Sequence, residues 1–221
     1  MNTKIIILSA ALSISTFLAQ AQKKVSVGIS AGVNLQNITG KDPLDNDMSN
    51  SVVARFNGGL KVNFKFAEDF YLQSGILFAS KGAKMSTMYL NQLTVQNINL
   101  NYIEVPLNFV YKPLVGSGHL LLGFGPYAAY AISGKATVVT GGPSRTLALK
   151  NEVSASDTNN LYFKPFEMGA NLFAGYEFTN KISIQLNAQL GLTKINPVYA
   201  NTANKSALKN SGFGISLGYR F

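Results

Sequence analysis

The polypeptide alternates between apolar and polar residues along most of its length. From Val25 to Gln36 the odd-numbered positions are apolar, and the even-numbered positions are Gly, Ser, Asn or Gln. A period of two puts the two kinds of residue on opposite faces of a β-strand. The same alternation recurs, clearly or with more noise, in residues 54–66, 70–82, 103–111, 119–134, 161–178, 182–193 and 213–221. The sequence therefore predicts eight strands. The register of the fifth stays open, because Pro126 and Tyr127 compete for its two faces.

The connections between these strands alternate in length. They are tight at residues 67–69, 113–118 and 179–181, and long and polar at residues 37–52, 83–98, 135–160 and 195–210. Strands of about ten residues suit a tilted crossing of a bilayer. Short turns on the periplasmic side and long outer loops are typical of bacterial outer-membrane barrels. We therefore expect an all-β fold, an eight-stranded antiparallel up-and-down transmembrane β-barrel in a Gram-negative outer membrane, with both termini periplasmic.

Aromatic residues agree with this orientation. On the face predicted to meet lipid, eight of them lie at strand ends next to the short connections or at the C-terminus, as a periplasmic interface girdle would. These residues are Phe64, Phe66, Phe70, Tyr111, Tyr176, Phe178, Tyr219 and Phe221.

A soluble barrel of the lipocalin kind is the alternative, since its strands also alternate. Its polar face would be the outer surface and would normally carry many charged side chains. In this chain only 13% of the residues are charged, about half of what is usual for soluble proteins. The polar face consists mostly of Gly, Ser, Asn and Gln, which suits the interior of a membrane barrel better than a surface in water.

The N-terminus has the features of a secretory signal peptide. Lys4 precedes an apolar run at residues 5–18, and the segment Ala19-Gln20-Ala21 has the small-x-small form of a cleavage site. We expect cleavage between Ala21 and Gln22, leaving a barrel domain over residues 22–221. A retained membrane anchor is the alternative, but the apolar run is shorter than the roughly 20 residues of a spanning helix.

Several segments resemble the PorT-like outer-membrane β-barrel family. They are VSVGISAGVNL at 25–35, YLQSGILFASKGAK at 71–84, NYIEVPLNFVYKP at 101–113, GPYAAYAISGK at 125–135 and FEMGANLFAGYEF at 166–178. The family often has Asp where this chain has Glu167, a departure that keeps the carboxylate. The resemblance implies a small barrel in the outer membrane, and it suggests a link to protein secretion, the role of the namesake member.

Four charged residues fall on the inward face of the predicted strands. Arg55 and Lys61 lie on the second strand, Glu104 on the fourth and Glu167 on the sixth. An eight-stranded barrel is only wide enough for side chains to fill it, and buried ions need partners. We expect at least one of the carboxylates to pair with Arg55 or Lys61, which would block the lumen. The alternative is that each charge stands in its own water pocket.

Residue types that carry out catalysis or bind metals are sparse. His119 is the single histidine, with Ser117 two residues before it, and the chain contains no Cys. Asp42, Asp45 and Asp47 form an acidic cluster that lacks the glycine and full ligand spacing of an EF-hand loop. We therefore expect no catalytic residues, no metal site and no cofactor.

Three classes of function follow from such a barrel. The first is a scaffold that binds an envelope or extracellular protein through its long loops, and the second is a narrow passive pore. The third is an outer-membrane hydrolase, for which the sequence lacks a catalytic set of residues.

Lysines near the outer rim, namely Lys81, Lys84, Lys194, Lys205 and Lys209, are candidates for pairing with anionic lipid phosphates. The net charge of +9 is spread over both rims, so we expect no nucleic-acid partner, and we expect a monomer.

Overall fold

The computed structural model describes residues 24–42, 45–48, 50–89, 92–140, 146–154, 160–200 and 206–221. Within these ranges, eight long antiparallel strands close into a ring in which each strand pairs with the next and the last pairs with the first. The predicted eight-stranded fold is confirmed. The strands are β1 (Val25–Lys41), β2 (Val53–Ala67), β3 (Phe70–Tyr89), β4 (Gln92–Tyr111), β5 (Gly118–Thr140), β6 (Phe166–Glu177), β7 (Ile182–Gly191) and β8 (Ala207–Arg220). The predicted signal peptide and its cleavage site lie outside the described residues.

The fifth strand has a definite register in the structure. Tyr127 points into the lumen and is 2% exposed, and Pro126 lies on the outer face. On the two sides of β5, Tyr127 is opposite Pro106 of β4 and Gly169 of β6. The choice that the sequence left open is therefore settled in favour of the aromatic ring inside the barrel.

The strands on the side of the long connections extend further than the sequence predicts. β3 continues to Tyr89 and β4 starts at Gln92, so the expected loop at 83–98 is almost entirely a β-hairpin. The short connections are as expected: β2 and β3 are joined by Glu68 and Asp69, and Asp69 has φ 61°. The ring is therefore much taller on one side than a bilayer crossing requires.

Five short strands accompany the ring in the described part of the chain. Leu114–Val115 pairs with the start of β5. Thr146–Leu149 runs parallel to Asn160–Phe163, and Glu152–Val153 runs parallel to Val198–Tyr199. The last four belong to the long connections, which are therefore partly folded. None of the described residues forms a helix of sufficient length and hydrophobicity to span a membrane.

The outward face of each long strand changes character along its length. On β4 the outward side chains of Ile103–Tyr111 are apolar and exposed, while those of Asn97, Asn99 and Asn101 are polar. We call the exposed apolar zone the apolar belt. It comprises the outward residues within 25–35, 54–66, 70–78, 103–111, 120–132, 166–178, 182–192 and 213–221. Ten residues at a rise of about 3.3 Å and a tilt of about 40° span roughly 25 Å, the height of the lipid-facing band of a membrane barrel.

The inward face changes from polar to apolar at the level where the outward face changes from apolar to polar. Beyond the apolar belt, Ile98 and Leu100 of β4 and Ile38 of β1 are buried inside the ring. Leu147 and Phe163 from the two parallel short strands pack against them. The loop-side core consists of Ile38, Ala83, Ile98, Leu100, Tyr102, Tyr127, Ala129, Ala131, Leu147, Phe163, Ile195 and Leu208. On the side of the long connections, the barrel is therefore packed like a water-soluble protein, with apolar residues inside and polar residues outside.

Candidate functional site

Three charged side chains meet inside the barrel, directly below the loop-side core. The ammonium group of Lys81 lies 3.1 Å from Oε2 of Glu104 and 3.2 Å from Oε1 of Glu167. Lys81 and Glu167 are fully buried and Glu104 is nearly so. β3, β4 and β6 contribute one residue each, so this charged trio joins three strands of the ring. Its two carboxylates and one ammonium carry a formal charge of −1.

Neutral hydrogen-bond donors surround the trio. The Tyr127 hydroxyl donates to Oε1 of Glu167, and Asn210 Nδ2 donates to Oε2 of the same carboxylate at 2.6 Å. Gln189 Nε2 lies 2.9 Å from both oxygens of Glu104. The Lys81 ammonium also lies 4.2 Å from the centre of the Tyr127 ring, close enough for a cation–π interaction. These contacts satisfy the buried charges that the ring encloses.

The cation of this trio is not one of those expected from the sequence. Lys61 points into the lumen but donates to the neutral Oε1 of Gln185 at 3.2 Å. Arg55 donates to Oδ1 of Asn97 and to the carbonyl oxygen of Ile98. In the described part of the chain, neither residue forms a salt bridge. The expected salt bridge inside the barrel exists, but the prediction that Arg55 or Lys61 supplies its cation is wrong. The Lys81 ammonium group occupies the space between the two carboxylates instead.

A second charged group lies at the other end of the lumen, beside the short connections. Glu177 accepts from the Lys112 ammonium at 2.8 Å and from Nη2 of Arg220 at 2.7 Å. Sequence reasoning missed this group, although all three residues alternate with outward aromatic or apolar neighbours. Lys112 follows the last residue of β4, outside the strands. Burial lowers the pKa of its ammonium group, and the hydrogen bond to Glu177 opposes that effect.

Two small polar cavities occupy the lumen between the charged groups. One, of about 50 Å³, lies toward the short connections and is lined by Lys112, Glu177 and Arg220. The other, of about 70 Å³, reaches up to Glu104 and Gln189. Lys61 lines both, since its side chain crosses the lumen from β2 to Gln185 on β7. Above the second cavity, the charged trio and the loop-side core obstruct the barrel.

The aromatic residues singled out from the sequence lie at the short-connection end of the apolar belt. The rings of Phe70 and Tyr111 stack with centroids 4.9 Å apart, and Tyr176 contacts Phe178 edge to face at 5.2 Å. Tyr219 and Phe221 form a similar pair at 5.4 Å. Phe66 lies 6.3 Å from Phe70, and Phe64 is exposed on β2. The rings thus group along one rim of the belt, where an aromatic girdle would meet the membrane interface.

The lysines proposed for lipid contact have different surroundings. Lys81 belongs to the buried trio, so its expected place on the outer rim is wrong. Lys84 and Lys194 are exposed, and Lys209 is partly exposed on β8. Lys205 lies outside the described residues. Outward lysines beyond the apolar belt also include Lys135 of β5, which is opposite Asn99 in the strand register.

The residues considered for catalysis and metal binding are dispersed. His119 is opposite Glu177 in the strand register, and Ser117 is exposed in the preceding turn. Asp45 pairs with Lys41 at 2.9 Å, and Asp42 accepts from the amide groups of Asn46. Across the ranges that the structure describes, no group of three or more His, Asp or Glu side chains is arranged to hold a metal ion.

A closed ring of eight strands with an apolar outer belt and a polar lumen defines a membrane β-barrel protein. The chain belongs to a known family of this class, because the model of the outer membrane protein beta-barrel domain matches residues 19–196. It is therefore an outer-membrane β-barrel protein of the Gram-negative type. No curated protein matches the sequence.

Solved structures of outer-membrane proteins resemble the fold at low sequence identity. OprG from Pseudomonas aeruginosa is 11% identical with a TM-score of 0.50, and the match covers 90% of this chain and 96% of OprG. The attachment invasion locus protein Ail of Yersinia pestis is 16% identical with a TM-score of 0.41, over 90% of this chain and 99% of Ail. Neisserial surface protein A is 11% identical with a TM-score of 0.44, over 89% and 99% of the two chains.

Proposed function

We propose that the protein is a closed scaffold of the outer membrane that acts through its long connections by binding an envelope or extracellular protein. The observation that carries this proposal is the double obstruction of the lumen. The trio of Lys81, Glu104 and Glu167 fills the barrel at the upper edge of the apolar belt, and the loop-side core fills it beyond. A rigid support of this kind suits binding through connecting segments.

A narrow passive pore is the second candidate, and the small size of the lumen cavities argues against it. The two polar cavities measure about 50 and 70 Å³, enough for a few water molecules at roughly 10–15 Å³ each. A solute moving outward would then have to displace a buried, hydrogen-bonded ion cluster and the apolar side chains above it. A lipocalin-like binder or a hydrolase has less support: the lumen cavities described above are small, and His119 and Ser117 do not meet in a catalytic cluster with the other residues that the structure describes.

The orientation and the processing of the chain belong to the same proposal. Both termini and the short connections face the periplasm, and the long connections face outward. Support comes from the aromatic rim at the short-connection end and from the polar outer surface at the other end. The signal peptide is removed between Ala21 and Gln22, and residues 22–221 form the barrel domain. The protein works as a monomer, without a nucleic-acid partner, cofactor or metal.

Membership of the PorT-like branch, with a role connected to protein secretion, is the finer form of the proposal. It is supported by the segments at 101–113 and 166–178, which carry Glu104 and Glu167 on their inward faces. Outer-leaflet lipids would contact the outward lysines beyond the belt. Lys84, Lys194 and Lys209 provide positive charge at the level where anionic lipid phosphates lie.

Two experiments test the closed scaffold. Purified protein reconstituted in planar bilayers should give no stepwise conductance, and reproducible single-channel steps would overturn the closed lumen. For the binding role, a photo-crosslinking residue is placed at Thr137 on the loop side or at Glu68 on the short-connection side. Irradiation of intact cells should yield a crosslinked envelope or extracellular protein from position 137 only. An identical crosslinking pattern from both positions would contradict binding through the long connections.

A further inference from the structure

The cavity beside the short connections is unusually rich in positive charge. Its wall includes the cationic side chains of Lys61, Lys112 and Arg220 and a single carboxylate, that of Glu177. Glu177 already accepts from both Lys112 and Arg220, within 2.8 Å of each. Lys61 therefore adds a positive charge that this carboxylate does not pair.

The charged residues of the trio and of the two cavities, taken together, leave the same excess. The charged trio and the residues that line the two cavities include four cations: Lys61, Lys81, Lys112 and Arg220. They include three carboxylates: Glu104, Glu167 and Glu177. Glu104 also lines the second cavity together with Lys61, but it is one of the three carboxylates already counted, so it does not remove the excess. One positive charge remains, in a space where an unpaired ion is costly.

The residues opposite Lys61 on the two neighbouring strands carry no side chains. Both of its cross-strand neighbours are glycines, Gly28 on β1 and Gly75 on β3. No side chain lies directly opposite Lys61 on either neighbouring strand, and its ammonium group reaches across the lumen to Gln185. Hydroxyl groups of Ser26, Ser30 and Ser183 face the same cavity, and they supply neutral hydrogen-bond donors. A volume of about 50 Å³ exceeds the roughly 10–15 Å³ that one bound water needs.

We propose that this cavity binds one small monovalent anion, chloride or an ion of similar size, between Lys61 and the pair of Lys112 and Arg220. A single negative charge balances the excess positive charge of the trio and the cavity walls. The ion enters from the short-connection end, where the Arg220 side chain is 31% exposed. The Lys61–Gln185 hydrogen bond separates it from the second cavity. This site is independent of the proposed scaffold role, which needs only a closed lumen.

Bromide tests the site directly, because its anomalous scattering reveals its position in a crystal. Crystals of the wild-type protein grown without halide are soaked in sodium bromide. We expect an anomalous peak within hydrogen-bonding distance of the Lys61 ammonium. Peaks only beside exposed lysines such as Lys84, or no peak at all, would overturn the proposal. This measurement needs no variant and is unaffected by any folding defect.

Thermal unfolding in detergent gives a second measurement. Changing the medium from sodium gluconate to sodium bromide at equal ionic strength should raise the Tm of the wild type by about 2–4 °C, since a ligand that binds only the folded state stabilises it. Lys61→Gln removes the excess charge, so its Tm should not respond to bromide, and the matched control Lys84→Gln should respond like the wild type. An equal bromide response in Lys61→Gln and in the wild type would contradict the site.

Discussion

Lys81 and Glu104 form an ion pair of 3.1 Å although they are not cross-strand partners. The residue opposite Glu104 on β3 is Leu77, four positions before Lys81, and Lys81 itself is opposite Leu100. The lysine side chain therefore runs along the lumen toward the belt and places its ammonium group between carboxylates from two other strands. The Lys81 side chain, which starts at the level of the loop-side core, thus supplies the cation of the ion cluster below that core.

Removing the cation of the trio should destabilise the barrel strongly. Lys81→Met keeps much of the side-chain volume but leaves two buried carboxylates without an ammonium partner. Loss of one partner of a buried ion pair costs about 3–5 kcal/mol. Equilibrium unfolding in urea in detergent micelles should show this loss. Lys84→Met on the exposed face is the control and should change stability by less than about 0.5 kcal/mol; similar effects of the two variants would contradict a structural role for the trio.

The two carboxylates should differ in their sensitivity to replacement by glutamine. Glu167 accepts from Lys81 and Tyr127 at one oxygen and from Asn210 at the other, so an amide nitrogen in place of either oxygen faces a donor. At Glu104, Oε2 accepts from both Lys81 and Gln189, and Oε1 accepts from the same Gln189 nitrogen, which also donates to Asn171. An amide oxygen at Oε2 keeps both partners, and the Gln189 contact at the other atom is the one that is lost. Both variants should lower the Tm. Glu167→Gln should have the larger effect and should reduce the free energy of unfolding by about 1–3 kcal/mol.

Neither glutamine variant should open the barrel, because the loop-side core still obstructs it. Planar-bilayer recordings of Glu104→Gln should therefore match those of the wild type. An unchanged Tm for both variants would refute a stabilising ion cluster, and conductance steps in either would refute the second obstruction.

The loop-side core should be essential for the fold of the long connections. Phe163 is 2% exposed in this core, and Phe163→Ala should cost about 3–5 kcal/mol through the cavity it creates. Limited trypsin digestion of intact cells should then cleave the β5–β6 connection much faster. Val139→Ala, at an exposed position of β5, is the control and should digest like the wild type. Equal digestion of the two variants would argue against a packed core in this region.

The edge of the apolar belt can be located by charge substitution on a single strand. Leu107 and Asn99 both point outward from β4, within the belt and beyond it. Leu107→Arg should destabilise folding into lipid vesicles by about 2–4 kcal/mol, and Asn99→Arg by about 0–1 kcal/mol. Folding titrations in vesicles measure both. A larger loss at position 99 than at position 107 would place the membrane elsewhere on the barrel.

The orientation has a clean test because the chain contains no cysteine. Ser86→Cys is exposed on the loop-side part of β3, and Glu68→Cys is exposed in a short connection. A membrane-impermeant maleimide applied to intact cells should label position 86 and leave position 68 unlabelled until the outer membrane is opened. The reverse pattern would put both termini outside the cell.

The period-two pattern was sufficient to predict the number of strands and, except in the fifth, their inward faces. It failed beyond the apolar belt, where residues 83–98 were expected to be a loop. There the outward residues Asn97 and Asn99 are polar and the inward residues Ile98 and Leu100 are apolar. The alternation continues through this region, but the apolar residues now point inward and the polar residues outward. An analysis that expects apolar residues on the lipid face therefore reads the segment as irregular.

Sequence reasoning selected two of the three members of the trio. Lys81 shares the odd-numbered face of β3 with Gln73 and Ala79, both buried in the lumen, so its inward direction was available from the pattern. What the pattern does not contain is which residues meet across the ring. That depends on strand stagger and on irregularities such as the register shift between Asn101 and Tyr102.

The exchange of polarity along the strands also determines how high the molecule sits in its membrane. On β1 the change falls between Leu35 and Asn37, and on β8 between Ser211 and Phe213. Neither strand length nor loop length determines this level, since each strand continues through it without a break. A coordinated shift of these few outward residues by two positions would raise or sink the whole barrel by about 5 Å relative to the lipid. Immersion depth is therefore a property encoded separately from the fold.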